Sequence, residues 1–295
     1  MSTVLNWKKG IRDSFNKHNG YAFKGKITNT YVHGYDPAEN NRLQDQADAL
    51  VDLLHHDTRY PAGSRVLEAG CGVGAQTITL ARNSPEALIT SIDISETSLT
   101  EAKKKIDAAG ITNVEFRLGN LFELSFQPES FDHIFVCFVL EHLRQPVEAL
   151  SALKTFLRVG GTITVIEGDH GSACFHPESE EADKAIGCLV ELQKRAGGNS
   201  RIGRELYPLL RKSGFDPVHV SPRMVYADAS RPGLVEGFTK KTFTAMIEGV
   251  RIQTLESCLT DQTTFDKGIR DLYRTTESDG VFCYTFFKAV GEKRI

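Results

Sequence analysis

The sequence predicts a doubly wound α/β fold, in which a mainly parallel sheet is covered by helices on both faces. Short runs of Val, Ile and Phe alternate with helical segments between residues 65 and 167, the pattern of buried parallel strands. The first run leads into a glycine-rich loop and then a helix. The chain of 295 residues is 40 % hydrophobic and 25 % charged, which is typical of a globular protein.

The N-terminal part precedes the first strand. Residues 1–36 are rich in aromatic side chains and have no clear period, so we expect an arm rather than a core element. From Asn41 to His55, apolar residues recur at helical spacing and predict an amphipathic helix that Pro61 and Gly63 follow. The apolar face consists of Leu43, Ala47, Leu50, Val51 and Leu54.

Five strands and three helices are predicted next. The strands are 65–68, 87–92, 114–118, 131–138 and 162–167. The helices are 76–82, 95–110 and 143–157. Ser95 is the expected N-cap of the second helix and Gly110 its stop, whereas Pro146 is tolerated near the first turn of the third.

After Glu167 the alternation changes. We predict an insertion over 168–200 that contains a helix near 180–195, because this stretch is too long for a simple connection. The later elements are a helix at 203–213, a strand at 218–226, a helical region over 228–278 and a last strand at 281–290.

Charge and composition exclude several classes of protein. There are 35 basic and 38 acidic residues, a net charge of −3, and no strongly basic block, which argues against nucleic-acid binding. No apolar run approaches the roughly 18 residues of a membrane span, and the polar start does not resemble a signal peptide, so we expect no membrane association and a cytoplasmic protein. The six cysteines form no C-x-x-C pair, and we interpret them as buried thiols.

The glycine-rich string Glu68-Ala-Gly-Cys-Gly-Val-Gly74 lies between the first strand and a helix. Glycines there allow a sharp turn and the close approach of a ligand to backbone N–H groups. The spacing Gly70-x-Gly72-x-x-Ala75 also fits a dinucleotide fingerprint, with Asp93 as the ribose-binding acid. Three features argue against a nicotinamide enzyme. They are the long segment before the first strand, Glu68 before the first glycine, and the pair of strands near the end of the chain.

The chain resembles the class I S-adenosylmethionine-dependent methyltransferases, in particular the small-molecule group similar to the ubiquinone and menaquinone biosynthesis enzymes. The matching strings, which follow one another in the order of that family, are VLEAGCGVG (66–74), SIDIS (91–95), LGNLFELSF (118–126), FDHIFVCFVLEHL (131–143) and LRVGGTITVIE (157–167). The resemblance implies a seven-stranded Rossmann-like sheet with an antiparallel last strand.

The resemblance also implies roles for individual residues toward S-adenosylmethionine and its product S-adenosylhomocysteine. The glycine loop would hold the methionine end, Asp93 the ribose hydroxyls, and Asn120, where the family often has Asp, the adenine amino group. Glu68 would either contact the cofactor or order the loop. The other implied contacts are Gly70, Cys71, Gly72, Gly74, Ile94, Leu121, Cys137 and Phe138.

The arm contributes further candidates. The segment 30–46 resembles a lead-in of this group that folds over the cofactor, with Tyr31, His33, Tyr35, Arg42 and Gln46 as its polar residues. Arg42 or Gln46 would meet the methionine carboxylate, and Tyr35 would orient the acceptor or the methyl group. The alternative is a solvated helix face.

Methyl transfer needs an aligned nucleophile and, where a proton is lost, a base. The carboxyl ends of the fourth and fifth strands carry His142 and His170, and ligands of α/β sheets bind at that edge. We expect His170 to be the base, with His142 as the second candidate. The cluster Glu167, Asp169, His170, His176 and Glu178 does not suggest enough convergent carboxylates for a metal.

The order of these elements assigns a role to each region of the chain. Residues 1–60 form an arm and helix over the cofactor, and 61–295 form the methyltransferase domain with cap insertions at 168–200 and 228–278. The expected acceptor is a small, partly apolar metabolite, methylated on C, O or N. A homo-oligomer formed through the arm or the cap is a further expectation. The alternatives are a nicotinamide-dependent oxidoreductase and a non-catalytic S-adenosylmethionine-binding protein.

Overall fold

A computed structural model describes residues 37–294. Its core is one seven-stranded sheet with the strand order β3-β2-β1-β4-β5-β7-β6. The strands are β1 (Arg65–Ala69), β2 (Leu88–Asp93), β3 (Val114–Leu118), β4 (Phe131–Cys137), β5 (Leu157–His176), β6 (Val218–Ala227) and β7 (Val281–Glu292). Strands β1 to β5 pair in parallel, and β7 is antiparallel to both of its neighbours. The predicted seven-stranded sheet with an antiparallel last strand is therefore confirmed.

Helices surround the sheet. They are α1 (Pro37–His55), α2 (Thr77–Asn83), α3 (Glu96–Ala108), α4 (Pro146–Phe156), α5 (Glu180–Ala196), α6 (Leu206–Lys212), α7 (Pro232–Leu234), α8 (Ala245–Gly249), α9 (Arg251–Glu256) and α10 (Gln262–Arg274). A π-helix, Val235–Thr244, joins α7 to α8, and short 3₁₀ helices cover Leu140–His142 and Ile202–Glu205. None of the helices within residues 37–294 is long and apolar enough to cross a membrane.

Two predicted helices have the apolar face and the N-cap that their sequences indicate. In α1, Ala47, Leu50 and Leu54 are buried, so these three residues of the predicted apolar face pack onto the protein. Helix α3 begins after Ser95, whose Oγ accepts a hydrogen bond from the N–H of Ser98 at 3.2 Å. This confirms the predicted N-cap.

Strand β5 is longer than predicted. The sequence predicts an end at Glu167 and an insertion over 168–200, but the strand continues to His176. The reason is β7, which pairs with β5 along its length except for a shift of register between Asp169 and Cys174. An antiparallel partner distant in sequence thus extends a strand whose outer half lacks an apolar run.

Two smaller expectations were wrong. The fourth helix begins at Pro146 rather than at Leu143, because proline fits the first helical position. The cysteines are also not all buried, since Cys174 and Cys258 are exposed and Cys283 is half-buried. Cys174 and Cys283 lie on the outer parts of β5 and β7, which the sequence analysis did not pair.

Candidate active site

The glycine loop after β1 has the backbone that its sequence demands. Gly70, Gly72 and Gly74 have φ values of +81°, +52° and +77°, a region that favours glycine. A Cβ on Gly74 would lie 2.9 Å from Cβ of Ala102 in α3. A Cβ on Gly72 would meet nothing within 4 Å. Gly74 therefore allows close packing, whereas Gly72 leaves an open approach to the backbone.

Glu68 lies beneath this loop and is 2 % exposed. Its Oε2 accepts hydrogen bonds from Ser91 Oγ at 2.6 Å and from Thr77 Oγ1 at 2.8 Å. Burial raises the pKa of Glu68 to about 7, although both hydroxyl groups oppose the shift. The side chain joins β1, β2 and the start of α2, which supports the loop-ordering alternative.

Asp93 at the end of β2 faces the same loop. Its Oδ2 accepts from the N–H of Gly72 at 2.8 Å and its Oδ1 from the N–H of Ser95 at 2.9 Å. Burial raises its pKa, and the backbone N–H donors oppose this. A carboxylate has about four acceptor positions, so further donors can bind. The neighbouring Ile94 side chain is 60 % exposed and offers an apolar surface at this edge.

Asn120 and Leu121 follow β3 and are both half-buried. The Oδ1 of Asn120 accepts from the N–H of Phe122 at 3.1 Å, and its backbone oxygen accepts from the N–H of Glu123 at 2.9 Å. The amide oxygen that the sequence analysis assigned to adenine therefore already holds a turn. Its second acceptor position is what a ligand would use.

The segment after β4 has a backbone outlier. Phe138 has a φ of +58°, which is uncommon for a residue with a side chain and is often found at functional sites. Its N–H donates to the Ile166 carbonyl at 3.0 Å. Phe138 lines the cavity described below, whereas Cys137 packs into a hydrophobic core cluster.

Glu167 fixes this segment from β5. It is fully buried, and its Oε1 accepts from the N–H groups of Val139 at 2.9 Å and Leu140 at 2.7 Å. Its Oε2 is buried without a hydrogen-bond partner among the described residues. Burial, together with nearby Glu141, raises the pKa of Glu167 well above its usual range. A Cβ on Gly70 would lie 2.5 Å from Cγ2 of Val139, so this segment and the glycine loop are packed together.

A cavity opens beside Phe138. Its lining residues form two sets, one polar and one mainly aromatic and apolar. The polar side chains are Arg42, Gln46, Glu141, His142, His170 and Thr242. The others are Phe138, Gly168, Phe238, Phe243, Met246, Tyr284 and Phe286. Both predicted histidines and both helical residues of the arm candidates thus line one cavity.

His170 is 6 % exposed. Its Nδ1 is hydrogen-bonded to Tyr284 Oη at 2.7 Å, and its ring lies 5.9 Å from that of Phe243. Its Nε2 is buried and has no hydrogen-bond partner within residues 37–294. Burial lowers the pKa of His170, which nearby Glu141 partly offsets. The lowered pKa favours a neutral imidazole near pH 7.

The polar rim contains the other candidates. Arg42 Nη1 donates to Gln46 Oε1 at 3.1 Å. His142 Nε2 lies 3.6 Å from Glu141 Oε1. These groups present both signs of charge next to an aromatic interior. Tyr35, with Tyr31 and His33, lies outside the described residues.

The acidic residues near His170 have other partners. Asp169 is 2 % exposed and binds Arg204 through both oxygens, at 2.6 and 2.8 Å. His176 and Glu178 are exposed beyond the cavity. Among the described residues, no group of three or more His, Cys, Asp or Glu side chains has the arrangement of a metal site.

The last strand contributes residues to the cavity that the sequence does not predict as part of the site. Phe282, Tyr284 and Phe286 alternate along β7 and are buried on one face. The period of two in VFCYTFF predicts a shared face, but the pairing of β7 with β5 is needed to bring Tyr284 to His170.

Comparison with known proteins identifies the family. A family described as a methyltransferase domain matches residues 61–214, just over half of the chain. The chain belongs to this methyltransferase family. The match covers the glycine loop, Asp93, the segment after β4 and His170.

Similar proteins include other methyltransferases. An uncharacterized methyltransferase of Schizosaccharomyces pombe is 33 % identical over 151 residues, which is 48 % of this chain and 53 % of that protein. A demethylmenaquinone methyltransferase of Listeria welshimeri is 32 % identical over 110 residues, 37 % of this chain and 47 % of that protein. The chain covers less than two thirds of the length of such curated relatives.

Solved structures share the fold. A phosphoethanolamine N-methyltransferase 2 of Haemonchus contortus, in complex with phosphomonomethylethanolamine and S-adenosylhomocysteine, aligns with a TM-score of 0.54 at 15 % identity. The alignment covers 92 % of this chain and 59 % of that one. The fold is that of the class I S-adenosylmethionine-dependent methyltransferases.

Proposed function

We propose that the chain transfers a methyl group from S-adenosylmethionine to a small, partly apolar organic molecule bound in the cavity. The observation that carries this proposal is the contact between the two halves of the site. Val139, directly after the cavity residue Phe138, packs on Gly70 of the glycine loop. A cofactor on the loop and an acceptor in the cavity would thus be neighbours, as an in-line displacement requires.

The residues at and near the glycine loop fit this cofactor. The open side of Gly72 leaves room for a ligand at the backbone, and Asp93 keeps acceptor positions for the two ribose hydroxyls. The exposed face of Ile94 suits a flat base. Arg42 and Gln46 remain the candidates for the methionine carboxylate. When bound, S-adenosylmethionine supplies an electrophilic methyl group on a sulfonium.

The residues of the cavity would act on the acceptor. Phe138, Phe238, Phe243 and Phe286 would hold an apolar body and keep water away from it. His170 Nε2 would accept the proton that the nucleophile loses. This role requires the tautomer in which Nδ1 carries the hydrogen and donates to Tyr284 Oη. His142 remains the second candidate, and Tyr35 stays a prediction.

The cavity residues also indicate which region of the chain would select the acceptor. Phe238, Thr242, Phe243 and Met246 come from the predicted cap at 228–278, so this region would select the acceptor. Phe238, Thr242 and Phe243 lie on the π-helix and Met246 lies on α8. In the π-helix, Thr242 Oγ1 donates to the Gly237 carbonyl at 2.7 Å. Two further apolar residues of this region do not line the cavity: Ile247 is buried in the core and Ile252 is exposed.

Calorimetric titration tests the cofactor. S-Adenosylhomocysteine is expected to bind and NAD is not. Asp93→Asn should weaken the affinity about 10- to 100-fold, because one acceptor oxygen becomes a donor. Asp132→Asn is the matched control, since Asp132 Oδ2 also accepts a backbone N–H, that of Arg65 at 2.7 Å, but at the opposite edge of the sheet. Equal losses in the two variants, or binding of NAD alone, would contradict the assigned pocket.

Label transfer tests catalysis. The chain is incubated with methyl-labelled S-adenosylmethionine and a metabolite extract, and the small-molecule and macromolecular fractions are counted separately. We expect label in the small-molecule fraction. Binding without transfer would favour the non-catalytic alternative, and label in protein or nucleic acid would refute the proposed acceptor class.

A further inference from the structure

Two cysteines face each other across the outer part of the sheet. Cys174 on β5 and Cys283 on β7 are direct partners in the antiparallel register. The Cα atoms of such partners lie about 4.5 to 5.5 Å apart, within the range of about 4.4 to 6.8 Å that a disulfide spans. The backbone already has the separation that a bond between them needs.

The pair is accessible and both thiols are free. Cys174 is exposed and Cys283 is half-buried, whereas their neighbours Phe282 and Tyr284 are buried on the other face of β7. Burial together with the neighbouring thiol of Cys174 raises the pKa of Cys283 to about 11. Cys174 is thus the side chain that a reagent reaches first.

We propose that Cys174 and Cys283 form a reversible disulfide by exchange with a low-molecular-weight disulfide. Cys283 directly precedes Tyr284, and Cys174 ends the register shift that contains His170. The bond would tie β5 to β7 beside the strand segments that hold the His170–Tyr284 pair. The site lies outside the cavity and is independent of the proposed function.

The exchange balances without a further reagent. The thiolate of Cys174 attacks one sulfur of the small disulfide, whose S–S bond breaks and releases one small thiolate, which takes up a proton. Cys283 then loses its proton and attacks Cys174 Sγ in the mixed disulfide. The second small thiol leaves, so that two protein thiols are oxidised and one small disulfide is reduced.

Glutathione disulfide is the probe. The full chain is treated with it at mildly alkaline pH, alkylated, digested without reduction and mapped by mass spectrometry. We expect one linked pair of peptides that contains Cys174 and Cys283, no glutathione on either of these two cysteines, and full recovery of the thiols with dithiothreitol. A disulfide that closes a loop of about 110 residues should also raise Tm by several degrees.

Three variants make the result decisive. Cys174→Ser and Cys283→Ser should each abolish the linked peptide and the rise in Tm, and the remaining cysteine should stop at a mixed disulfide with glutathione. Cys258→Ser is the matched control, because Cys258 is also exposed but lies after α9, outside the sheet, and this variant should give the same linked peptide and the same rise in Tm as the parent. Absence of the linked Cys174–Cys283 peptide in the parent, or a linked peptide that contains any other cysteine, would overturn the proposal.

Discussion

The glycine-loop region and the cavity are built in different ways. The first uses backbone conformation and side chains between Glu68 and Ser95, which lie close together in sequence. The second collects side chains from α1, the ends of β4 and β5, the π-helix and β7. Local sequence rules therefore suffice for the first region, whereas the second exists only once the sheet and its cap have formed.

The two regions meet at one contact. Glu167 holds the N–H groups of Val139 and Leu140, and Val139 fills the space beside Gly70. A buried acid on β5 therefore sets the distance between a loop suited to a cofactor and a cavity suited to an acceptor. Changes on either side should separate binding from turnover.

The largest expected effect is on turnover. His170→Gln removes the proposed base, so the turnover number of an acceptor found by label transfer should fall about 100- to 10,000-fold. The affinity for S-adenosylhomocysteine should change less than about twofold. His133→Gln is the matched control, because His133, like His170, has a hydroxyl partner, Thr162 Oγ1 at 2.8 Å, but lies near the start of β4. An unchanged rate in His170→Gln would remove this residue from the mechanism.

The pH dependence of the rate sharpens the same test. Because burial lowers the pKa of His170, the base is neutral at pH 7. The rate should fall on acidification only below the ordinary histidine value of about 6.5. An acid limb that persists unchanged in His170→Gln would assign the titration to another group.

The second effect is on stability in the glycine-loop region. Gly74→Ala places a Cβ 2.9 Å from the Ala102 side chain at a φ of +77°. Gly63→Ala has a similar φ, +75°, with nothing within 4 Å. Both variants lose about 1 to 2 kcal/mol from the left-handed backbone, and Gly74→Ala should lose about 1 to 3 kcal/mol more from overpacking. Denaturant unfolding measures both, and equal losses would show that contact with α3 does not require this glycine.

The predictability of the fold follows the same division. The alternation of apolar runs and helices predicts the sheet. Ser95 predicts a helix cap and the glycines predict a turn, because caps and turns depend on a few adjacent residues. The outer half of β5 was missed because its strand character comes from β7. His170 was found from its place after a strand, whereas Tyr284 was missed because its partner is more than one hundred positions away in sequence.

The third effect is a change in pH dependence. The pKa of Glu68 is raised to about 7 in the folded chain, so the folded state binds a proton more tightly than the unfolded state. This contribution to stability is fully present below the unfolded value of about 4.5 and is lost as the pH rises through 7, a change of up to about 3 kcal/mol.

Glu68→Gln keeps an oxygen for Ser91 and Thr77 and removes the titration. The difference in unfolding free energy between the variant and the parent should therefore grow in favour of the variant from pH 5 to pH 8. Glu86→Gln, at an exposed position before β2, is the control and should show no such trend. A pH-independent difference for Glu68→Gln would mean that Glu68 titrates as in the unfolded chain.

The smallest expected effect distinguishes a base from the residue that orients it. Tyr284→Phe removes the hydroxyl that meets His170 Nδ1 and keeps the ring among Phe238, Phe243 and Phe286. The loss of one hydrogen bond should lower turnover about tenfold, or about 1.4 kcal/mol, without affecting cofactor affinity. Tyr273→Phe, which removes a hydroxyl bonded to Glu248 at 3.2 Å on the surface, is the matched control. If Tyr284→Phe lowered the rate as much as His170→Gln, the hydroxyl itself would have to act on the acceptor, and the assignment of the base would move from β5 to β7.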